Sequence, residues 1–574
     1  MTSFEIEELA FDRPSIAGMP GLDPRLENWP VVYLLDDARR IYVGESIGAA
    51  TRMRQHIDSQ AKQGLRGIRV ILDDTFNKSV CLDLESHLIR WFAGDGRFAV
   101  MNRNDGIIDS DYYRRSDYRE VFRDVFEELH QAGMFTRSIP HIENSDLFKL
   151  SPFKSLNRDQ AVAVDAVMEG LAADLEAGLP SMSVIQGDPG TGKTIVGIYI
   201  MKLLRDIADA RDVEDAQPDS IFADLFLEEN RQLFEGLRVG LVVPQQSLRE
   251  SIRRVFKRTP SLHAAEVVTP FQVGKDPEPY DILVVDEAHR LTQLAAQAMG
   301  TLTSDFREIN SRLFGGDESK TQLDWLQIRS KHVIALLDSE QSVRPTDISP
   351  GVFTRLVDTS RRDGRLFPLH SQMRVAGGND YISFVRALLS DEPPQTRPDF
   401  GEYELKLFDD FGEMVDSILA RDAEFGLSRL VAGYAWPWRS KKDRSLPDIE
   451  IDGIGLPWNR NPTDWINSPT SLHEVGSIHT VQGYDLNYAG VIIGGDLTVD
   501  PTTGELCVDR DSYFDTKGKA NNVMRGQVTT NEDLLRYVQN IYRVLMTRGI
   551  KGTYVYICDG ALKQKLRSSL ESSC

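Results

Sequence analysis

Residues 187–194 read Gly-Asp-Pro-Gly-Thr-Gly-Lys-Thr, and this octet constrains the fold more than any other stretch of the 574-residue chain. It satisfies the phosphate-loop pattern G-x-x-x-x-G-K-[ST] at every position. Such a loop needs glycine because main-chain N–H groups must close around phosphate oxygens, where a Cβ would obstruct them. Gly187, Gly190 and Gly192 fill that need, with Pro189 and Thr191 between them. Lys193 is then placed for the β/γ-phosphates, and the Thr194 hydroxyl for a Mg²⁺ ion. The apolar residues 183–186 predict a buried strand, and 195–204 predict a helix whose N-terminal dipole faces the phosphates. Strand, loop and helix together predict a nucleoside triphosphate site.

A second strand carries the matching carboxylates. Tyr280-Asp-Ile-Leu-Val-Val runs into Asp286 and Glu287, the form of a Walker B strand. Asp286 is the candidate for the magnesium shell, and Glu287 for orienting or deprotonating the attacking water.

Length predicts three to four domains, and 41% apolar with 27% charged residues describes an ordinary globular chain. The opening residues are acidic and lack a cationic signal region, and no apolar run approaches a membrane span. Four scattered cysteines (Cys81, Cys507, Cys558, Cys574) predict neither a zinc site nor a disulfide framework. A cytoplasmic protein without membrane attachment is the expectation. The net charge of −21 argues against loose coating of nucleic acid. It leaves room for a narrow cationic channel, since residues 28–115 hold 13 Lys/Arg against 12 Asp/Glu.

Further motifs follow in order. Gln160, in Leu156-Asn-Arg-Asp-Gln160, stands upstream of the loop where an adenine-reading glutamine is expected. The helix 247–258 buries Leu248, Ile252, Val255 and Phe256 and carries Arg249, Arg253 and Lys257 at i, i+4, i+8. That basic stripe suits a phosphate track or a solvated face. Ala335-Leu-Leu-Asp338-Ser-Glu-Gln341 is a strand ending in groups suited to sensing the γ-phosphate. Gln372-Met-Arg374, Ser477-Ile-His-Thr-Val-Gln482-Gly-Tyr-Asp485 and Asn540-Ile-Tyr-Arg-Val-Leu-Met-Thr-Arg548 complete the series. Arg374 and Arg548 are candidates for bringing positive charge to the γ-phosphate from a second lobe. Trp436, Trp438, Trp458 and Trp465 cluster in or beside residues 439–470, as base-stacking platforms or as packing.

The series resembles the superfamily 1 helicases, and most closely the branch with the Schlafen-group helicase-like domain, over roughly residues 151–565. Leu430-Val-Ala-Gly-Tyr-Ala-Trp-Pro-Trp438 and His479-Thr-Val-Gln-Gly-Tyr-Asp485 carry the resemblance. It implies two RecA-like, doubly wound parallel-sheet lobes, ATP and Mg²⁺ in their cleft, and single-stranded nucleic acid across their top. The chain shows no long insertions of the kind that build the extra subdomains of processive unwinding enzymes.

A different constellation precedes it. Val31-Val-Tyr33 and Ile41-Tyr42-Val-Gly44 predict a hairpin, and Arg52 and His56 share one face of the next helix. A later helix places Glu85 among apolar neighbours, and Asn102 and Asn104 close the unit. These residues resemble the GIY-YIG nuclease domain, a small α/β fold. The resemblance implies that Tyr33 assists deprotonation of water, Tyr42 and His56 position or relay, Arg52 stabilises the phosphorane, and Glu85 holds Mg²⁺ or Mn²⁺. An αβ domain with packed tyrosines and a buried neutral Glu85 is the alternative.

The expected organisation is an N-terminal extension (1–27), a nuclease-like domain (28–105), a helical connector (106–150), lobe 1 (151–345) and lobe 2 (346–574), with insertions near 439–470 and 499–530. Residues 210–237 are expected to form a short helical insert. The expected function is a nucleic-acid-stimulated ATPase fused to a metal-dependent endonuclease acting on DNA with a single-stranded portion. The architecture would suit bacterial anti-phage defence or DNA processing. The alternative is an NTP-gated sensor whose N-terminal domain only docks DNA.

Overall fold

Alternation along Val31–Asp36 sends Val32 and Leu34 to one side of a strand and Val31, Tyr33 and Leu35 to the other, and all five are buried. A strand buried on both faces must lie inside a sheet covered on both sides. The computed structural model, which describes residues 4–102, 112–209, 222–295, 300–338, 346–372, 375–461, 465–481, 484–521 and 528–571, has this arrangement. The chain divides into two units, one made of 1–172, 198–236 and 251–266, the other of 173–197, 237–250 and 267–574.

The first unit is built on a five-stranded sheet of β1 (Phe4–Ala10), β2 (Val31–Asp36), β3 (Arg40–Ser46), β4 (Gly67–Asp73) and β5 (Ala99–Val100), in the order β1-β4-β2-β3-β5. The helix Lys78–Asp95 covers one face, packing Leu84, Leu88 and Phe92 against Val32, Leu34, Val43 and Ile71. The other face packs Val31, Tyr33, Leu35 and Val70 against Ile16, Met19 and Met53.

Two boundaries expected from sequence move here. Residues 1–27 are no extension: β1 pairs antiparallel with β4 from Phe4↔Asp73 to Ala10↔Gly67, and the helix Arg13–Leu22 buries Ile16 and Met19. The connector is likewise part of the core, since the helix Arg115–Gln131 buries Phe122, Val125, Phe126 and Leu129 against the Lys78–Asp95 helix.

The second unit holds two parallel sheets, the arrangement expected of RecA-like lobes. The first comprises β6 (Ser181–Gly187), β7 (Val239–Val242), β8 (Val267–Val268), β9 (Tyr280–Val285), β10 (Ser330–Leu337) and β11 (Leu366–Leu369), ordered β11-β6-β10-β9-β7-β8. The sheet therefore runs past the expected lobe boundary at 345, because β11 pairs in parallel with β6 from Leu366↔Val184 to Leu369↔Gly187. The second sheet comprises β12 (Glu404–Phe408), β13 (Ser428–Ala432), β16 (Val475–Ser477), β17 (Leu486–Ile493) and β20 (Gly549–Ile557), ordered β12-β20-β17-β13-β16. Two hairpins, β14 (Ile449–Ile451) with β15 (Ile454–Leu456) and β18 (Leu497–Val499) with β19 (Leu506–Val508), occupy the stretches expected as insertions. The insert expected over 210–237 is described from 222 on and contains the helix Glu228–Phe234.

Tryptophan serves packing in this unit. Trp458 and Trp465 are buried, Trp465 donates through Nε1 to Glu474 at 3.1 Å, and Trp438 meets Trp458 edge-on with centroids 5.4 Å apart. Among the described residues, no helix is long and apolar enough to cross a membrane.

The pairing of β1 gives a direct test of where the first unit begins. Deleting residues 1–11 should expose the edge of β4 and lower the unfolding temperature of the first unit, by about 4–8 °C for a loss of about 2 kcal/mol. Thermal melts of full-length and truncated chain check this, and coincident melts would return those residues to a dispensable extension.

Candidate functional site

Three parallel neighbours, β6, β10 and β9, end level with one another: Leu337 pairs with Gln186, and Ala335 with Val285. Their carboxyl ends deliver Asp188, Asp338 and Asp286 to one edge of the sheet, where open α/β sheets bind ligands. The phosphate loop leaves β6 there and enters the helix Lys193–Ala208. Gly190 has φ +90°, a backbone conformation that favours glycine, and a Cβ there would overlap the Gln372 amide.

Lys193 is buried, and its ammonium donates to Gly187 O at 2.6 Å and Asp188 O at 2.8 Å, with Asp338 Oδ2 at 3.4 Å. Asp286 is also buried. Its Oδ1 accepts from the Glu287 N–H at 2.9 Å, whereas its Oδ2 has no hydrogen-bond partner. Burial, then the charge of Glu287, push the Asp286 carboxyl well above the usual carboxylate range, against the opposing Thr194 hydroxyl and Lys193 charge. A buried carboxylate oxygen without a donor, beside a threonine hydroxyl, is the donor set a Mg²⁺ ion fits. Thr194 and Asp286 would hold it.

Glu287 has φ +51°, which is uncommon for a residue with a side chain and marks functional sites. Its Oε2 stands 3.0 Å from His289 Nε2, within ion-pair range but without hydrogen-bond angles. Burial raises the Glu287 pKa, but His289, Arg290 and Lys193 outweigh it and hold the group below the usual range. The two adjacent carboxylates are thus driven apart in proton affinity, the pattern that separates a metal ligand from a base.

Two contacts from later in the chain also reach the loop. Gln372 donates through Nε2 to Pro189 O at 2.5 Å, and Arg386, on the helix Gly378–Leu388, pairs with Asp188 at 2.6 Å. Sequence reading missed Arg386, which belongs to no motif, and passed over His289 beside the Walker B carboxylates. Arg548 is buried and donates to Val544 O at 3.2 Å and Tyr484 O at 3.4 Å, inside the second sheet's own layer. Reaching a phosphate would require it to leave those carbonyls. Gln160 closes a reciprocal cap with Asn157: its Oε1 accepts from Asn157 N at 3.1 Å, and its N–H donates to Asn157 Oδ1 at 2.8 Å. That pairing starts the helix Arg158–Ala177 and gives Gln160 a structural task that the adenine-reading expectation did not include. Of the basic stripe, Arg249 folds back onto Val243 O and Pro244 O. Gln341, Arg374, Gln482 and Asn104 lie outside the described residues.

The first unit gathers a second cluster. Tyr33 Oη and His56 Nε2 share a hydrogen bond at 2.8 Å, and the Tyr42 ring lies 6.2 Å from Tyr33 and 5.4 Å from His56. Register explains the approach: Tyr33 pairs with Gly44 across β2 and β3, and a Cβ on Gly44 would overlap the Tyr33 hydroxyl. Burial pushes the Tyr33 phenol up, and the charge of Arg52 opposes it. Glu85 is 1% exposed and close enough to act on the same phenol. Asn102 ties β3 down, donating to Val43 O at 2.8 Å and accepting from Val43 N at 3.2 Å. Among the described residues no group of three His, Cys, Asp or Glu side chains forms a metal cage. A single carboxylate, Glu85, is compatible with Mg²⁺ only where phosphate oxygens and waters complete the shell.

With this geometry in place, the chain belongs to the Schlafen group 3, DNA/RNA helicase domain family, which it matches over residues 180–559. It is 23% identical over 420 residues to "Uncharacterized protein YPL245W" of Saccharomyces cerevisiae, covering 67% of this chain and 84% of that one. Among solved structures it resembles the Arterivirus nonstructural protein 10 (helicase) at 13% identity and a TM-score of 0.23, over 69% of this chain. The match spans 63% of that viral protein's length.

His56 gives this geometry a pH signature. Burial, with the charges of Lys62 and Arg52, lowers its pKa from 6.5 to about 3. The unfolded chain therefore binds a proton near pH 6.5 that the folded chain refuses until about pH 3. Stability from this group is present above pH 6.5 and is lost as pH falls through that window. Hydrogen exchange of peptides spanning residues 31–73 should accelerate on acidification from pH 7 to pH 4.5, and His56→Gln should flatten the response. An equal response in both chains would show that His56 is not the titrating group.

Proposed function

We propose that the chain is a nucleic-acid-stimulated ATP hydrolase of the helicase type, fused to a metal-dependent phosphodiesterase at its N-terminus. The observation that carries the first half is the buried Asp286 oxygen without a partner, beside Thr194 and within reach of Lys193's charge. When ATP arrives, the Lys193 ammonium exchanges the Gly187 and Asp188 carbonyls for phosphate oxygens. The loop N–H groups around Gly190 take the remaining charge. The Mg²⁺ ion, held by Thr194 and Asp286, neutralises charge on the β- and γ-phosphates. Glu287, kept ionised by its cationic neighbours, accepts a proton from the attacking water. Arg374 and Arg548 are the proposed sources of transition-state charge from the second lobe, and Gln341 and Asp338 of γ-phosphate sensing. Gln160 is the proposed adenine contact.

The family supports nucleic acid as the effector, and DNA with a single-stranded portion is the proposed substrate. The nuclease half rests on the Tyr33–His56 hydrogen bond with Tyr42, Arg52 and Glu85 around it. Because His56 is neutral at physiological pH, its ring can accept the proton that leaves Tyr33 as that phenol takes one from water. Arg52 then faces the charge that develops on phosphorus, and Glu85 holds the Mg²⁺ or Mn²⁺ ion. A fusion of this kind suits cytoplasmic anti-phage defence or DNA processing in bacteria.

Two substitutions separate the halves. Glu287→Gln should retain nucleotide binding and lower ATP turnover by about 10²–10⁴-fold, since only proton acceptance is removed. Glu85→Gln should abolish cleavage and leave ATP hydrolysis intact. Steady-state ATPase and gel-based cleavage, with Mg²⁺, ATP and single-stranded, duplex, forked and RNA substrates, check both. Wild-type cleavage by Glu85→Gln would remove the proposed metal role. Wild-type protein that binds these substrates and cuts none would favour the NTP-gated sensor.

A further inference from the structure

A cavity of about 170 Å³ opens beside the tyrosine–histidine cluster of the first unit, lined by Tyr42, Lys62 and Asn102 on one side and by Lys202, Asp206 and Ser261 on the other. Tyr42 belongs to the proposed nuclease centre, and Asn102 is anchored to the strand that carries Tyr42. The cavity is therefore the space next to that centre. At about 30 Å³ per water it holds about five waters, enough for one phosphate group and its hydration but not for a base pair.

Lys62 gives the cavity its chemistry. It ends the single turn Gln60–Lys62, a few residues beyond the helix Ala49–Asp58 that presents Arg52 and His56. The side chain is 4% exposed, and its ammonium lies 3.2 Å over the centroid of the Tyr42 ring. An aromatic face holds a cation without neutralising it, so the charge stays available to an anion. That charge is close enough to the cluster to contribute to the lowered pKa of His56. On the opposite wall Lys202 and Asp206 pair with each other within one helix. A cation held by the ring of one centre residue, in a phosphate-sized space bounded by another, is placed for substrate.

We propose that Lys62 binds a backbone phosphate of the nucleic acid next to the scissile one, and that the cavity of Tyr42, Lys62 and Asn102 is a subsite for one strand. The inference rests on the nuclease reading and adds to it a substrate-binding residue outside the Tyr33/Tyr42/Arg52/His56/Glu85 set. Phosphate contacts position the chain without reading sequence, so the subsite fixes where along a strand the cut falls.

The test uses the full chain carrying Glu85→Gln, so that substrate persists, with a labelled single-stranded oligonucleotide titrated by fluorescence anisotropy between 50 and 200 mM KCl. Losing one phosphate contact on a single strand should reduce the slope of log Kobs against log[salt] by about 0.7. Lys62→Met should show that loss, and Lys62→Arg, which keeps the cation, should keep the parent slope. With Glu85 restored, Lys62→Met should raise KM for cleavage more than it lowers kcat. An unchanged slope in Lys62→Met, or an equal loss in Lys62→Arg, overturns the subsite. The two readings fail separately. A slope loss in a chain whose Glu85 form cuts nothing keeps the phosphate subsite and rejects the nuclease, whereas cleavage with an unchanged slope does the reverse.

Discussion

Asp286 and Glu287 are adjacent carboxylates, both withdrawn from water, and the rest of the second unit is arranged around their repulsion. The left-handed backbone at Glu287 turns its side chain toward His289 and Arg290, leaving Asp286 to face Thr194 and the phosphate loop. One carboxylate thereby gains cations and the other gains protons. A divalent ion beside Asp286 would remove that proton and supply the missing partner of Oδ2. This division depends on parallel pairing, since only parallel neighbours bring the carboxyl ends of β6, β10 and β9 to one edge. Slipping β9 by one residue would turn Asp286 to the other face of the sheet.

The first unit solves a comparable problem with neutral groups. Tyr33 is buried in a strand, and its hydroxyl reaches His56 only because its cross-strand partner Gly44 has no side chain. His56 in turn is kept uncharged by burial and by two cations, so the polar pair sits inside an apolar layer without an unbalanced charge. Arg52 and Lys62 supply positive charge at the rim. A cluster that is neutral within and cationic at its edge suits an anionic backbone approaching from outside.

Much of this was legible because glycine, lysine and carboxylate spacing leave few geometric alternatives. The phosphate loop, the Walker B strand and the tyrosine hairpin each fall where their patterns put them in the chain. Contacts made by single residues far apart in sequence were not legible. Arg386 meets Asp188 from an ordinary amphipathic helix, and Lys62 reaches Tyr42 from one turn of irregular chain. The strand β1 was hidden by its acidic composition, Phe4-Glu-Ile-Glu-Glu-Leu-Ala, which reads as a solvated leader until its pairing with β4 is seen. The tryptophans were ambiguous for a different reason. Nothing in a sequence says whether an aromatic ring faces a base or a neighbouring core, and here Trp458 and Trp465 face the core.

The central claim is that Lys193 and the Asp286–Glu287 pair hydrolyse ATP under the control of nucleic acid. Its most direct test is the steady-state rate of phosphate release at saturating ATP and Mg²⁺, with and without a single-stranded oligonucleotide, in wild type and Lys193→Ala. Wild-type turnover should rise when the strand is added, and Lys193→Ala should remain at background in both conditions, because no neighbouring group can replace its charge on the phosphates. Hydrolysis by Lys193→Ala at the wild-type rate would contradict the assignment of this site.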